Sequence, residues 1–426
     1  MAGASALLLV ALAAVVGGLL YLHGRPVQAS AAPFYAHWLP HIGPGTPIAI
    51  AVAAAVMWKG PELAARMSWR SLLLAGYLSA VVWTVSLALV DGWKTGLATR
   101  LTTTPEYLHE VPGVIDVRAA VRGFAGRILD FQPDSWTTHV AGHPPGALLT
   151  FVWLDRIGLG GGGWAAIVCV LVGALAAVAV PETLRLIGNV DVARVVVPFA
   201  VLFPGAVWIG ASADGLFAGA AAVGIMLLAR GQRRWAVVGG GLLAFAVYLS
   251  YGLVLLAPIV VLVLVRRRAW SSMGVAVLGG AVVVAAFTAS GFWWLDGYHL
   301  VVERYYQGLA SVRPYGYWVW ANVAALVGSG GPVLAVVLRR AFAQAIAARS
   351  RHLPKATWLL PLAAAAAILL ADISGLSKAE TERIWLPFAV WFTAGAALLP
   401  AQSRRSWLAV QAATALLINH LLLTSW

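Results

Sequence analysis

Four short polar motifs interrupt a chain of 426 residues that is otherwise mostly apolar. Each motif contains a group that can accept a proton or bind an anion, and each one ends or begins a hydrophobic segment. Polar groups at such borders are costly to place and commonly have a function. In chain order the motifs are Asp91-Gly92-Trp93, His143-Pro144-Pro145-Gly146, Ser212-Ala213-Asp214-Gly215 and the run from Lys378 to Pro387.

Asp91 ends the third hydrophobic segment, at the start of the longest polar stretch of the sequence. A carboxylate in low-dielectric surroundings has a raised pKa and becomes a better proton acceptor, so Asp91 is the candidate catalytic base. Three further acids of the same stretch, Glu106, Glu110 and Asp116, are alternatives for this role. The structural explanation of Asp91 is an Asp-Gly turn that ends a helix.

The other three motifs contain candidate anion-binding and capping groups. Two prolines fix the backbone after His143, at a helix start, where its ring can donate to a phosphate. Asp214 stands where it can cap the following helix. Arg383 is the charge nearest to the next apolar run, and its guanidinium can bind a lipid phosphate through two parallel hydrogen bonds. Ordinary turn and juxtamembrane roles are the structural explanations of His143 and Arg383.

A second polar stretch adds arginines beside aromatic rings. Aromatic faces next to arginine suit a sugar ring that carries an anionic group, although aromatic residues are also common at membrane interfaces in general. The full set of candidate substrate-binding residues is His143, Asp214, Arg304, Arg313, Tyr315, Lys378, Glu382 and Arg383.

The composition predicts the elements that must position these residues. Hydrophobic residues make up 61% of the chain and charged residues 11%, and mean hydropathy is +0.85. Soluble domains average about 45–50% apolar and about 25% charged residues. Because a span needs about 20 apolar residues, the many long runs predict an all-α polytopic membrane protein of about 11–14 transmembrane helices. We expect one membrane domain over residues 1–426, in which residues 1–70 form two extra N-terminal helices.

The charge pattern predicts the topology. The net charge is +13, and the basic residues collect in short turns between apolar runs, as in cytoplasmic loops. No basic face with interleaved aromatic rings follows from the sequence, so a nucleic-acid partner is excluded. Placing the basic turns inside puts the N-terminus inside and the C-terminus outside. Most acids then lie outside, in three outer loops at residues 91–143, 292–317 and 372–384.

Three local predictions follow from periodicity and length. The segment Ile115–Asp130 has apolar residues at helical spacing and basic residues on other faces, which is typical of a helix in the membrane interface. Residues 236–265 form too long a run for one pass, and we expect two short helices hinged at Ser250-Tyr251-Gly252. The short segment Pro145–Leu159 contains Asp155 and Arg156, and we expect that it does not simply cross.

Several common chemical motifs are missing from the sequence. No glycine-rich loop contains the lysine of a nucleotide-phosphate site, and no histidines or cysteines have zinc-site spacing. No cofactor is therefore required, and the sequence does not indicate a divalent metal. The single cysteine, Cys169, excludes a disulfide within the chain.

Taken together, the motifs resemble those of the GT-C superfamily of membrane glycosyltransferases, which use polyprenyl-phosphate sugars. An acid in the first large outer loop, an interfacial helix and a His-Pro-Pro element occur here in the family's order, at Asp91, Ile115–Asp130 and His143-Pro144-Pro145. Pro204 with Asp214-Gly215-Leu216-Phe217 resembles the family's middle element, and Glu382–Pro387 its late outer motif. The first loop departs from relatives because it lacks their paired acids.

The resemblance implies a GT-C-like bundle and transfer of one sugar from a polyprenyl-phosphate donor to a cell-envelope glycan or glycolipid. The Ala/Val/Gly/Arg-rich composition resembles the actinobacterial branch, which builds arabinan, mannan and methylthioxylose-capped glycans. The implied location is the plasma membrane, with the active site on the extracytoplasmic face and Asp91 as base of an inverting displacement. The alternatives are a membrane transporter or lipid-carrier flippase, and a non-catalytic membrane subunit.

Overall fold

The chain is almost entirely helical in a computed structural model that describes residues 1–268, 270–347 and 355–424. The α-helices are α1 (Ala2–Leu22), α2 (Thr46–Arg66), α3 (Trp69–Ala88), α4 (Val117–Gly123), α5 (Thr138–Ala141), α6 (Pro145–Arg156), α7 (Gly162–Gly173), α8 (Ala176–Ile187), α9 (Val190–Val201), α10 (Ala206–Ile209), α11 (Ala213–Ala229), α12 (Arg233–Leu249), α13 (Ala257–Arg267), α14 (Trp270–Ala289), α15 (Trp294–Gln307), α16 (Tyr315–Gly330), α17 (Val333–Ala347), α18 (Ala356–Ile373), α19 (Thr381–Ile384), α20 (Leu386–Ala389) and α21 (Arg404–Leu421). Two short strands, β1 (Ala36–Trp38) and β2 (Leu422–Thr424), pair antiparallel. The predicted all-α class is confirmed.

Within the described residues, six helices are long and apolar enough to cross a membrane as single spans. They are Ala2–Leu22, Thr46–Arg66, Trp69–Asp91 (α3 with the 3-10 turn after it), Gly162–Ile187 (α7 and α8 together), Trp270–Ala289 and Ala356–Ile373. Helices α16 and α17 qualify together as a span bent by 104°. The number of single spans is below the expected 11–14 because other apolar runs are shorter helices, such as α11, or consist of short helices in tandem. The protein is therefore a polytopic membrane protein with several broken or short helices.

One end of the bundle collects basic turns. Arg194 donates to the carbonyls of Ala64 and Met67, which links the α2–α3 turn to α9. Arg267 donates to the carbonyls of Leu186 and Arg230, which links three further turns. Four basic turns, at residues 59–70, 185–194, 230–234 and 266–268, therefore lie at the same end. The basic residues Arg349 and Arg351, in a further turn, lie outside the described residues.

The opposite end contains the acidic loops and the C-terminal strand. Strand β2 pairs there with β1, and the Arg100 guanidinium donates to the carbonyl of Thr424. Helix α1 runs from one end to the other. A Cβ at Gly3 would lie 2.9 Å from the Trp407 ring near the basic end, and a Cβ at Gly17 would lie 2.8 Å from the Tyr317 hydroxyl near the acidic end. The two polar ends are thus distinct.

Two of the local predictions agree with the structure. Helix α6 returns to the acidic end, because Arg156 at its C-terminus donates to the carbonyls of Val114 and Ile115 in the first polar loop. The chain therefore does not cross the bundle over residues 145–159. The long apolar run after residue 233 breaks into α12 and α13, with a 3-10 turn over Tyr251–Leu256 between them, as the hinge prediction requires.

The predicted interfacial helix is shorter than expected and faces the protein. Only Val117–Gly123 is α-helical, followed by a 3-10 turn at Ala125–Arg127. Its apolar residues Phe124 and Ile128 are buried in the main hydrophobic core, while Arg118 and Arg122 are exposed. Phe124 packs against the Trp136 ring at 5.2 Å between centroids. The apolar residues at the end of this helix thus pack against the protein core.

Close packing of small residues sets the position of α11, the helix that begins beside Asp214. A Cβ at Gly219 would lie 1.8 Å from the Val172 carbonyl oxygen, and a Cβ at Gly173 would lie 3.0 Å from the Gly215 oxygen. Only glycine allows α7 and α11 to approach so closely, as is common where helices pack in membranes. This contact fixes the start of α11 at the acidic end.

Candidate functional site

Arg383 on α19 is the centre of a buried ion-pair network. Its guanidinium contacts the Asp214 carboxylate at 2.5 Å and the Glu380 carboxylate at 2.6 Å. Asp214 is 5% exposed and Arg383 6%. Although burial lowers the pKa of Arg383, the Asp214 and Glu380 carboxylates raise it above its usual value. The arginine is therefore a permanent cation that two carboxylates neutralise.

Ser212, and not Asp214, caps helix α11. The Ser212 hydroxyl accepts from the Gly215 amide at 3.3 Å, as an N-cap side chain does. Asp214 lies in the first turn, where a carboxylate is favoured by the helix dipole. Its Oδ2 atom binds Arg383, so the side chain serves the ion-pair network and the capping prediction for Asp214 is wrong.

The loop before α19 extends this network. Glu380 also accepts from the Arg313 guanidinium at 2.9 Å, and Arg313 donates to the Lys378 carbonyl at 2.7 Å. The Lys378 ammonium donates to the carbonyl of Ala310 at 2.9 Å. Glu380 thus brings together the predicted residues Arg313 and Arg383, and Lys378 joins them through its carbonyl.

Asn322 on α16 holds the same loop in a strained shape. Its side-chain NH₂ group donates to the Asp372 carboxylate at 2.8 Å and the Ser377 carbonyl at 2.6 Å. Ala379 and Glu380 both have positive φ, +67° and +63°, which non-glycine residues adopt only at a cost. Backbone strain of this kind concentrates at functional sites, and here it points Glu380 between two arginines.

A small pocket opens beside Arg383 at the acidic end. Glu106 and His139, from two parts of the first polar loop, lie on one side of it, and the start of α11 lies on the other. The His139 Nδ1 atom lies 2.9 Å from Glu106 Oε1. The lining residues are Arg100, Glu106, Tyr107, His139, Ala211, Ser212, Ala213, Asp214 and Arg383.

Asp91 is not among the residues that line this pocket, and both of its carboxylate oxygens have partners. Oδ2 accepts from the Arg100 guanidinium at 2.7 Å, and Oδ1 lies 2.6 Å from His41 Nε2. His41 Nδ1 also lies 2.7 Å from the Leu39 carbonyl oxygen, so both ring nitrogens face acceptors. In this arrangement Asp91 holds Arg100 at the pocket edge.

His143 lies beside the pocket in a partly buried position. Its Nδ1 donates to the His139 carbonyl at 2.7 Å, and its ring packs against Tyr107 and Phe217. Burial lowers the pKa of His143 to about 4, so the ring is neutral at physiological pH. A neutral ring that donates through Nδ1 has an acceptor at Nε2. The predicted donation to a phosphate is therefore not supported by this geometry.

Glu382 is completely buried next to the network. Its Oε1 accepts from the Tyr35 amide at 2.7 Å, and its Oε2 has no hydrogen-bond partner among the described residues. Burial raises the pKa of Glu382 to about 7. In contrast, burial of Glu380 is outweighed by Arg383 and Arg313, which lower the pKa of that carboxyl.

Two predicted residues lie away from the pocket. Arg304 on α15 pairs with Asp130 at 2.6 Å and thereby ties α15 to the first polar loop. The Tyr315 hydroxyl donates to the Ile373 carbonyl at 3.3 Å, and the ring is 42% exposed. Both residues support neighbouring loops and do not line the pocket.

Sequence reasoning missed Arg100, His139 and Glu380, and gave Glu106 only as an alternative. Arginine is scarce in outer loops, so an arginine nine residues after Asp91 could have been recognised as a candidate partner of that acid. Glu380 lies within the Lys378–Pro387 motif, three positions before Arg383, so a signal was present. His139 carried none, because its contact with Glu106 depends on how the first polar loop folds. Across the described part of the chain, no group of three or more His, Cys, Asp or Glu side chains can hold a metal ion.

No protein-family model matches the sequence, and a search of curated proteins finds no match. Several solved structures are similar in fold. ArnT from Cupriavidus metallidurans in the apo state aligns with 79% of this chain, at 17% sequence identity and a TM-score of 0.46. The same protein bound to undecaprenyl phosphate aligns with 77% of this chain, at 15% sequence identity and a TM-score of 0.45. The oligosaccharyltransferase of Archaeoglobus fulgidus in complex with zinc and sulfate aligns with 81% at 14% identity and 0.42. The aligned regions span 60% of each ArnT chain and 50% of the oligosaccharyltransferase chain.

Proposed function

We propose that the protein is a GT-C-type glycosyltransferase. It transfers a sugar from a polyprenyl-phosphate donor to a cell-envelope glycan or glycolipid, at the extracytoplasmic face of the plasma membrane. The observation that carries this proposal is one pocket, at the acidic end of a membrane bundle, in which the partly buried Arg100 and the buried Arg383 line the same space as the carboxylates of Glu106 and Asp214.

The charges of this site suit a lipid-phosphate leaving group. Arg100, Arg313 and Arg383 bind the carboxylates of Asp91, Glu380 and Asp214, which keep the three guanidinium groups charged and oriented. An anionic ligand can take the place of a carboxylate at Arg383. Donors aimed at developing negative charge are usually the largest catalytic contribution, about 3–4 kcal/mol for each well-placed group.

The reaction that fits these groups is an inverting displacement. A loop carboxylate removes the proton of the acceptor hydroxyl, the hydroxyl oxygen attacks the anomeric carbon, and the lipid phosphate departs toward Arg383. The sequence assigns the base to Asp91, which in this geometry already binds Arg100 and His41. The positioning of Arg100 by Asp91 is part of the same anion site.

Donor consumption tests the proposal. Purified protein in liposomes is incubated with a panel of radiolabelled decaprenyl-phosphate sugars and total envelope glycolipid, and release of decaprenyl phosphate is measured. A glycosyltransferase consumes at least one donor and labels the glycolipid. A flippase moves donor across the bilayer and a scaffold leaves it unchanged, so intact donor in every reaction would contradict the proposal.

A further inference from the structure

Four of the six acids in the first polar loop, residues 91–143, are the candidate proton acceptors, and their surroundings differ sharply. Asp91 binds Arg100 and His41 through both oxygens. Glu110 accepts from the Thr137 amide at 3.0 Å and lies 3.6 Å from Arg127. Asp116 caps α4 by accepting from the amides of residues 118 and 119. Each of these three carboxylates has a structural task.

Glu106 is the exception among them. It is 3% exposed and lines the pocket, and its Oε2 atom has no hydrogen-bond partner within the described residues. A buried unpaired carboxylate oxygen is expensive, at about 1–3 kcal/mol or more for a charged group. Native structures retain such atoms where they have a task.

The surrounding structure fixes the direction of this oxygen. His139 holds the other oxygen, Oε1, at 2.9 Å from its Nδ1 atom. The His139 amide in turn donates to the Pro105 carbonyl at 2.9 Å, which joins the two parts of the loop directly beside Glu106. The His139 contact is lost if the carboxylate rotates, and Glu106 lines the pocket that Arg383 shares, so Oε2 is the oxygen left without a partner at this site.

We propose that Glu106, and not Asp91, is the general base of the transfer, an assignment that rests on the proposed function. The acceptor hydroxyl oxygen bonds to the anomeric carbon while its proton passes to Glu106 Oε2. The bond from the anomeric carbon to the phosphate oxygen breaks, and its electron pair leaves on the lipid phosphate beside Arg383. His139 is a positioning residue that orients the carboxylate.

The decisive variant is Glu106→Gln, because glutamine keeps the shape and can still accept from His139 but cannot take a proton at the amide. General-base catalysis contributes about 10²–10⁴-fold to rates. We expect kcat for decaprenyl-phosphate-sugar consumption to fall by that factor, with KM for the donor unchanged. Asp134→Asn, at an acid of the same loop whose side chain is 67% exposed, is the matched control and keeps full activity.

Two further measurements keep the assignment testable. Thermal melting of Glu106→Gln separates lost chemistry from lost folding, and Glu106→Asp, which restores a carboxylate, recovers part of the rate if folding is intact. His139→Phe keeps a ring but removes the nitrogen that donates to the charged carboxylate, so the acid limb of the kcat profile moves to higher pH. A purely structural His139 would lower Tm and leave that limb in place.

The outcomes separate the two proposals. Wild-type turnover together with unchanged turnover in Glu106→Gln overturns the assignment of Glu106 and leaves the glycosyltransferase proposal intact. Absence of wild-type turnover with every donor removes the proposed function, and the assignment of the base falls with it. Wild-type turnover with a folded, inactive Glu106→Gln supports both.

Discussion

Arg383 binds two carboxylates in this structure, so an incoming phosphate has to compete for its donors. Asp214 and Glu380 each occupy one side of the guanidinium. Isolated buried charges are costly, and a network of this kind keeps the arginine charged and oriented until a ligand arrives. The exchange of a carboxylate for a phosphate is therefore the event that we expect at this residue.

The pH dependence of stability tests whether burial keeps Glu382 protonated in the folded protein. Its folded pKa of about 7 lies above the ordinary glutamate value of 4.5, so the folded state retains a proton that the unfolded state loses. The stabilisation is complete below pH 4.5 and is lost as pH rises through 7. Ionising this side chain costs about 3 kcal/mol at most. We expect Tm to fall between pH 5 and pH 8, and Glu382→Gln to flatten that dependence.

Differential scanning fluorimetry in detergent measures this effect across the pH range. Asp134→Asn, at an exposed acid, serves as control and should keep the wild-type slope. An equal slope in wild type and Glu382→Gln would show that Glu382 is ionised in the folded state.

At the scale of elements, the first polar loop is a folded part of the protein. Phe124 is 1% exposed and packs against Trp136 at 5.2 Å and Phe292 at 5.7 Å between ring centroids. Because Phe124 and Phe292 come from different polar loops, this contact joins the first polar loop to the second.

Truncating Phe124 tests whether α4 faces protein or lipid. Phe→Ala in a core typically costs about 3–5 kcal/mol. We expect Phe124→Ala to lower Tm markedly, while Arg122→Ala on the exposed face leaves it nearly unchanged. A melting temperature for Phe124→Ala within about 1 °C of wild type would favour the interfacial helix that the periodicity predicted.

The positions of the two ends of helix α6 can be tested by cysteine labelling. Because Arg156 binds the backbone at residues 114 and 115, both ends of α6 lie at the acidic end. Cysteines introduced at the exposed positions Ile115 and Ile157 should react with an impermeant maleimide from the same side of the membrane. A cysteine at Arg234, in a basic turn, should react only from the other side.

The native Cys169 is buried and gives little background in that labelling experiment. Labelling of positions 115 and 157 from opposite sides would mean that α6 crosses. Labelling of both from the cytosolic side would remove the extracytoplasmic pocket.

At the scale of the molecule, composition and run length predicted the helical membrane class, and the charge pattern predicted which turns meet. These features are predictable because lipid imposes them on every span independently. The pairing of Asp214 with Arg383 across 169 positions was not predictable, although both residues were named. The partners of Asp91 were not predictable either, since His41 precedes it by 50 positions. Side-chain pairing depends on how helices meet, which one sequence does not specify.

The periodicity of residues 115–130 predicted a helix, but it did not predict which part of the protein its apolar residues contact. An apolar stripe has the same spacing whether it contacts lipid or a protein core. Here Phe292 from a distant loop covers Phe124. The number of unbroken spanning helices was overestimated for a related reason. Hydropathy does not show where an apolar run breaks, as this chain does at Gly331 and after Ser250.

The central claim is that the buried cluster around Arg383 binds a lipid-linked phosphate. The most direct measurement compares equilibrium binding of decaprenyl phosphate and decaprenol to the protein in nanodiscs. Because hydrogen bonds to charged groups contribute about 1.5–3 kcal/mol, we predict that the phosphate is bound about 10–100-fold more tightly. Arg383→Gln should abolish that difference, and Arg304→Gln, at an arginine paired with Asp130 outside the pocket, should retain it. Equal binding of both lipids by the wild-type protein would contradict the account.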